Sequence, residues 1–512
     1  MRPLLDSLFV SREKLAFIVD ATAAPVASIS PVSSWVGFEI GLIQSEVERI
    51  LALPDVDPDN VRIKTSGMAI FLQSIKYRYY PIFMIVMMVA TIYSKRDFGP
   101  MLVAERKTQV YKRTDGGDGK GKGSETEGGK ANQPEEDTPL KSWNMLFPVL
   151  LLVFFIFYLL IKTGESPGED QSLMDKIEAS DSYQALLWGT MAAIVCTMLM
   201  YFLQIVEGGD LLSPAAWGQA IPAMFRTPET EGASQPRLLM NLNESMESVL
   251  HGMGRIFPAI IGLNLAWAVG SLMVTVGADR LFARWIIGID AETLPTISFL
   301  VSFFMALATG TSWGTMTILF PMVLLPTYQT SGGDPTIFYA TTAGILSGSV
   351  AGDHVSPISD TTVLSSLACD CNLLAHVSTQ MGYAIVVSII SILLGTIPIG
   401  YDAWPNIIGI LIGAGLVVGF VFLLCAPVLS PTGRYDPMTE LILMIKSARG
   451  GETSVLLKLK EDTVKAYNGE YVDGEQEAKD AKLMSSDEES GKQDEDAAAP
   501  VKAEPVEAEA EA

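Results

Sequence analysis

Eight uncharged apolar runs divide this chain, at 146–161, 185–206, 256–276, 381–399 and 407–425, with shorter or interrupted ones at 80–93, 294–308 and 318–325. A helix needs roughly 20 such residues to cross the hydrocarbon core of a bilayer, and the first five approach that length. A soluble core does not contain so many, so an all-α polytopic membrane protein is predicted. A transmembrane β-barrel would alternate apolar and polar residues with period two, and LLVFFIFYLLI at 151–161 does not.

The charge must then lie between and beyond these runs. Lys and Arg total 35 against 58 Asp and Glu, a formal −23, yet only 18% of residues are charged, below the about 25% of soluble domains. Residues 95–141 turn abruptly Gly-rich and charged, which predicts a disordered loop. Its Lys and Arg near the flanking spans place it in the cytoplasm. The acidic stretch 164–181 suits the opposite side, and 207–255, with a chance Asn243-Glu244-Ser245 sequon, returns to the cytoplasm. Between 468 and 512 stand 15 acidic and 4 basic residues, so 428–512 is read as an acidic disordered tail. The domain plan is a partial first transport repeat at 1–94, the loop at 95–141, a membrane domain with the second transport repeat at 142–427, and the tail. Net acidity excludes a nucleic-acid partner, and four cysteines in 512 residues exclude a disulfide scaffold. The opening residues lack an apolar signal-peptide core.

An internal echo points to chemistry. Ile29-Ser30-Pro31-Val32-Ser33 reappears as Val355-Ser356-Pro357-Ile358-Ser359 at an offset of 326, both within small-residue apolar segments. Pro31 and Pro357 free backbone carbonyls, which at membrane depth are tolerated only beside protein or a watery cavity. Interrupted segments at matching places in two halves mark a transporter's binding site. A third interruption, Thr309, Gly310, Thr311, Ser312, Trp313, Gly314 and Thr315, offers hydroxyls for an ion, although small residues here also suit close helix packing.

The carboxylates carry the ion hypothesis. Asp353 and Asp360 stand seven apart in an apolar setting with His354 beside the first, and an ionisable group at membrane depth suggests an ion pathway. Na⁺ is assigned to Asp353 and Asp360, with Ser356, Ser359, Thr361, Thr362, Thr309, Thr311, Ser312 and Thr315 completing an oxygen shell. A desolvated carboxylate holds a proton or a cation but not easily both, which is a sufficient basis for exchange. Asp20, Ser30, Pro31 and Ser33 form the weaker first-repeat counterpart. Asp360 also suits a helix cap, His354 a hydrogen-bond partner, and Glu39, Lys76 and Arg78 snorkelling positions.

The segments GTSWGT (310–315), AGDHVSPISDTT (351–362), REKLAFIVDATAAPVASISPVSSW (12–35) and Asp-Phe-Gly-Pro-Met at 97–101 resemble the NhaC-type sodium/proton antiporter family of the wider ion-transporter superfamily. The resemblance runs from about residue 4 to 427. It implies inverted repeats with re-entrant hairpins, Na⁺/H⁺ antiport, and in some members exchange of malate and lactate. It also implies leading spans and a Gly-Thr-rich partner for GTSWGT that precede the segment seen here, so the first repeat is read as truncated.

The expected activity is therefore secondary active Na⁺/H⁺ antiport, with Na⁺-coupled organic-acid (malate/lactate-type) exchange and a transport-inactive truncated membrane protein as alternatives. An intramembrane aspartyl protease using Asp353 and Asp402 is disfavoured, because the Gly-x-Gly-Asp pattern is missing and the order is reversed. No enzyme activity and no cofactor are expected. The expected partners are Na⁺, H⁺, the lipid bilayer and a second copy of the chain as a homodimer.

Overall fold

Backbone N–H and C=O groups in hydrocarbon must be paired internally, and this chain meets the demand with helices. A computed structural model describes residues 8–54 (Val32 excepted), 56–57, 61–114, 143–165, 173–178, 180–202, 245–250, 288–448 and 453–468, with scattered positions between 253 and 284. The described residues fall into two compact units, one within Arg12–Met101 and Lys122–Cys425, the other within Met1–Ser11, Leu102–Gly121 and Ala426–Ala512.

The larger unit is the membrane domain of an all-α, multi-pass protein. Its helices are α1 (Arg12–Ala21), α2 (Ala24–Ile29), α3 (Ser34–Leu51), α4 (Gly67–Ile75), α5 (Tyr79–Ser94), the start of α6 (Gly99–Thr114), α7 (Trp143–Thr163), α8 (Ser182–Phe202), α9 (Leu294–Thr309), α10 (Ser312–Thr330), α11 (Pro335–Asp353), α12 (Asp360–Cys369), α13 (Leu373–Ser391) and α14 (Asn406–Leu424). Among the described residues five segments are long and apolar enough to span, Leu146–Thr163, Gln184–Tyr201, Ala291–Thr309, Leu373–Gly400 and Asn406–Leu424, and α4 with α5 makes a sixth bent by 45°. The expected span at 256–276 lies largely outside the described residues, while 318–325 is the buried middle of α10.

Hydropathy overlooks α11, whose residues from Ile337 to Asp353 are all buried although many are Thr, Ser, Gly and Ala. Small residues permit close helix approach in a membrane. Gly344, Gly348 and Gly352 face the carbonyl oxygens of Pro295, Phe299 and Phe303 on α9, where a Cβ would stand 2.5, 2.2 and 2.0 Å away. A buried ion pair, Lys14 Nζ to Asp97 Oδ1 at 2.5 Å, joins α1 to the segment after α5. The Tyr383 hydroxyl of α13 donates to the same oxygen at 2.5 Å.

The second unit corrects two expectations from composition. The disordered loop at 95–141 begins with helix α6, and the tail at 428–512 contains α15 (Pro437–Ala448) and α16 (Ser454–Tyr467). Net charge concealed an apolar set, since Leu102, Ala426, Val428, Tyr435 and Leu443 form one buried cluster and Val110 and Leu459 another. Arg106 is buried and donates to the carbonyls of Val428 (3.1 Å), Gly433 (2.8 Å), Pro427 (3.2 Å) and Arg434 (2.5 Å). Residues 115–142 and 469–512 lie outside the description.

Candidate functional site

Each proline of the echoed motif sits in a gap between helices. Helix α2 stops at Ile29 and α3 starts at Ser34; α11 stops at Asp353 and α12 starts at Asp360. Ser33 and Ser359 occupy the matching N-cap positions, and Ser359 Oγ accepts from the backbone N–H of Thr362 at 3.4 Å. The third interruption also forms. Gly310 ends α9 at φ +65° and Thr311 caps α10. A Cβ on Gly310 would meet the Ile358 carbonyl oxygen at 2.8 Å, so left-handed backbone and close approach both call for glycine there.

Around the second break the buried polar groups converge. Asp353 is 1% exposed; Ser312 Oγ donates to its Oδ2 at 2.9 Å, with Thr361 Oγ1 at 3.5 Å. Asp20, 0% exposed, comes from the first-repeat side. Its Oδ2 accepts from Thr362 Oγ1 at 3.2 Å and from Gln380 Nε2 at 2.7 Å, with His376 Nε2 at 3.4 Å and His354 Nε2 at 3.8 Å. His354 Nδ1 shares a 2.8 Å hydrogen bond with the Tyr80 hydroxyl. Asp20 Oδ1, Asp353 Oδ1, Ser356 Oγ and Gln380 Oε1 are buried without a hydrogen-bond partner. Unsatisfied buried oxygens are costly, and these four belong to residues on or bonded around the second break.

The remaining expected site residues take other positions. Asp360 is exposed in the first turn of α12, with its Oδ1 accepting from the Thr361 N–H at 2.9 Å. Pro357 is exposed. Thr309, also exposed, donates to Met305 O at 2.9 Å and lies 3.4 Å from buried Thr315. Thr311 is engaged in capping through Gly314 N at 3.3 Å. Ser30 and Pro31 build the first break, and Ser33 Oγ donates to Ala27 O at 2.7 Å. Among the described residues no three His, Cys, Asp or Glu side chains have metal-holding geometry.

Sequence reasoning missed Tyr80, His376 and Gln380. A signal was present: His376, Thr379, Gln380 and Tyr383 recur at helical spacing within an uncharged span, and all four are buried. Arg78 and Glu39 are a correction, because they do not snorkel. Both are 0% exposed and pair at 2.9 Å; Arg78 also donates to Ser28 O and stands 4.5 Å over the Phe71 ring. The helix bend puts Arg78 inside rather than at the interface. Lys76 stays at the edge, near Gln73 at 3.3 Å.

The model of the Na⁺/H⁺ antiporter family matches residues 26–214 and 230–398. An uncharacterized protein of Haemophilus influenzae is 27% identical over 394 residues, covering 76% of this chain and 64% of that protein. The malate-2H⁺/Na⁺-lactate antiporter of Bacillus subtilis is 31% identical over 175 residues, covering 31% of this chain and 34% of that protein. The arginine/ornithine antiporter of Halobacterium salinarum is 31% identical over 150 residues, covering 26% and 30%. The chain thus spans just under two thirds of the first relative and about a third of the others. No solved structure matches it.

Proposed function

The chain belongs to the Na⁺/H⁺ antiporter family, and we propose that it exchanges Na⁺ for H⁺ at the second helix break. The observation that carries this reading is buried Asp353, held on one oxygen by Ser312 at 2.9 Å while its other oxygen is without a partner. Ser356 Oγ, also unpartnered, lies on the same broken segment. A carboxylate in such surroundings accepts one positive charge, a proton or a cation, and loading either displaces the other. Asp20 adds a second buried acid from the first-repeat side, and Thr362 and Gln380 hold its Oδ2. Asp360, at the exposed edge, serves as an outer carboxylate on the route to that site.

Purified protein in vesicles loaded with a pH-sensitive dye tests the reading. An imposed Na⁺ gradient is expected to move protons in the wild type and not in Asp353→Asn; wild-type-like exchange by Asp353→Asn refutes it.

A second reading, Na⁺-coupled exchange of small organic acids, is favoured by the partial similarity to the malate-2H⁺/Na⁺-lactate antiporter. Uptake of labelled malate driven by internal lactate in the same vesicles distinguishes the two.

A further inference from the structure

The offset of 326 that pairs the two breaks also pairs Ser28 with His354, and both offer a carbonyl oxygen where a helix stops. Different donors close them. Ser28 O accepts from Arg78 Nη1, which also lies 2.9 Å from Glu39 Oε2. His354 O accepts from Gln380 Nε2 at 2.7 Å, and the same nitrogen donates to Asp20 Oδ2 at 2.7 Å. In each break one donor therefore bridges a helix-end carbonyl and a buried carboxylate.

The donors differ in charge. Arg78 is a guanidinium, charged throughout the accessible pH range, so Glu39 is neutralised by a cation tethered to the chain. Gln380 donates its two hydrogen bonds and brings no charge to Asp20. His354 and His376 bring their Nε2 atoms to 3.8 and 3.4 Å from Asp20 Oδ2, without a covalently fixed charge like that of Arg78. The unpartnered oxygens follow the same division: Asp20 Oδ1, Asp353 Oδ1, Ser356 Oγ and Gln380 Oε1 at the second break against Glu39 Oε1 at the first.

We propose that Gln380 decides which break admits an exchangeable cation: the first is closed by the tethered cation Arg78, and the second stays open because the donor in the corresponding place is neutral. Gln380 is thus a specificity-determining residue of the transport site. The inference rests on the reading of a cation site at Asp353.

The test is equilibrium binding of labelled Na⁺, with Na⁺-dependent thermal stabilisation, on the purified full-length chain. Gln380→Arg installs the first break's solution at the second and is expected to weaken Na⁺ binding by roughly tenfold or more, since a fixed charge beside a poorly screened site repels another. Gln380→Met removes the two hydrogen bonds without adding charge and is expected to weaken binding only about fivefold. Wild-type affinity in Gln380→Arg, or equal loss in both variants, overturns the proposal. Absence of Na⁺ binding by the wild type overturns the Asp353 reading instead. A reciprocal variant removes dependence on the folding of Gln380→Arg: Arg78→Gln in an Asp353→Asn background is expected to gain Na⁺-dependent stabilisation that Asp353→Asn lacks, and a folded protein without that gain counts against the proposal.

Discussion

The hydroxyl of Thr362 donates to the carboxylate of Asp20 at 3.2 Å, joining groups 342 residues apart in the chain. That bond ties α1 directly to the helix following the second break. Asp20→Asn is expected to abolish or strongly reduce Na⁺-driven proton movement. Thr362→Val, which removes a hydrogen bond to a charged group, about 1.5–3 kcal/mol, is expected to weaken apparent Na⁺ affinity on the order of tenfold or more. Vesicle assays over a Na⁺ titration check both, and an Asp20→Asn variant matching the wild type would show that this acid is structural.

Asp353 and Asp360 are equivalent in the sequence motif but not in space. One is buried against Ser312, the other is exposed and bound to its neighbour's N–H. Asp353→Asn should therefore lose exchange, whereas Asp360→Asn should retain a measurable fraction with a raised half-saturating Na⁺ concentration. Ser312→Ala removes a hydrogen bond to a charged group, about 1.5–3 kcal/mol, and is expected to raise that concentration on the order of tenfold or more. Equal loss in Asp353→Asn and Asp360→Asn would restore the paired-carboxylate site.

Much of this arrangement was legible from local signals. Pro31, Pro357 and Gly310 marked all three helix gaps, because proline and left-handed glycine act on the backbone where they stand. The buried acids Asp20 and Asp353 stood out against apolar neighbours. Tyr80 did not, since one polar residue in a helix says nothing about what faces it, and the helical spacing of His376 and Gln380 marked a polar face without naming its partners. Arg78 was misread for a related reason: a charge at the end of an apolar run normally reaches water, and only the 45° bend between α4 and α5 turns it inward to Glu39. Hydropathy likewise missed α11, whose partner surface on α9 selects small residues instead of greasy ones.

The Arg78–Glu39 pair is expected to matter more when halved than when removed. Deleting one partner leaves a buried charge uncompensated, about 3–5 kcal/mol, while replacing both by apolar residues is often near neutral. Arg78→Met should thus lower the melting temperature more than the combined Arg78→Met, Glu39→Leu variant does. Intrinsic-fluorescence melting in detergent compares them; a double variant as unstable as the single one would assign the loss to the Ser28 carbonyl and the Phe71 ring instead.

The seam between α9 and α11 makes the sharpest structural prediction. At Gly348 a single added methyl would stand 2.2 Å from the Phe299 carbonyl oxygen and 2.8 Å from the Ser302 Cβ, and the oxygen belongs to helix backbone that moves only with its whole turn. Gly348→Ala therefore has to push α9 away, although alanine is the better helix former. Overpacking of this kind costs about 1–3 kcal/mol, and it acts one turn from Gly352, beside the helix end that carries Asp353. Gly415 on α14 is the internal comparison, because nothing lies within 4 Å of its would-be Cβ; there Gly→Ala should gain about 0.5–1 kcal/mol from helix propensity alone. Melting of the two variants side by side is expected to move in opposite directions, with Gly348→Ala also losing Na⁺ affinity as the gap around Asp353 widens. A Gly348→Ala protein at least as stable as the wild type would mean that α9 and α11 do not approach this closely in the membrane.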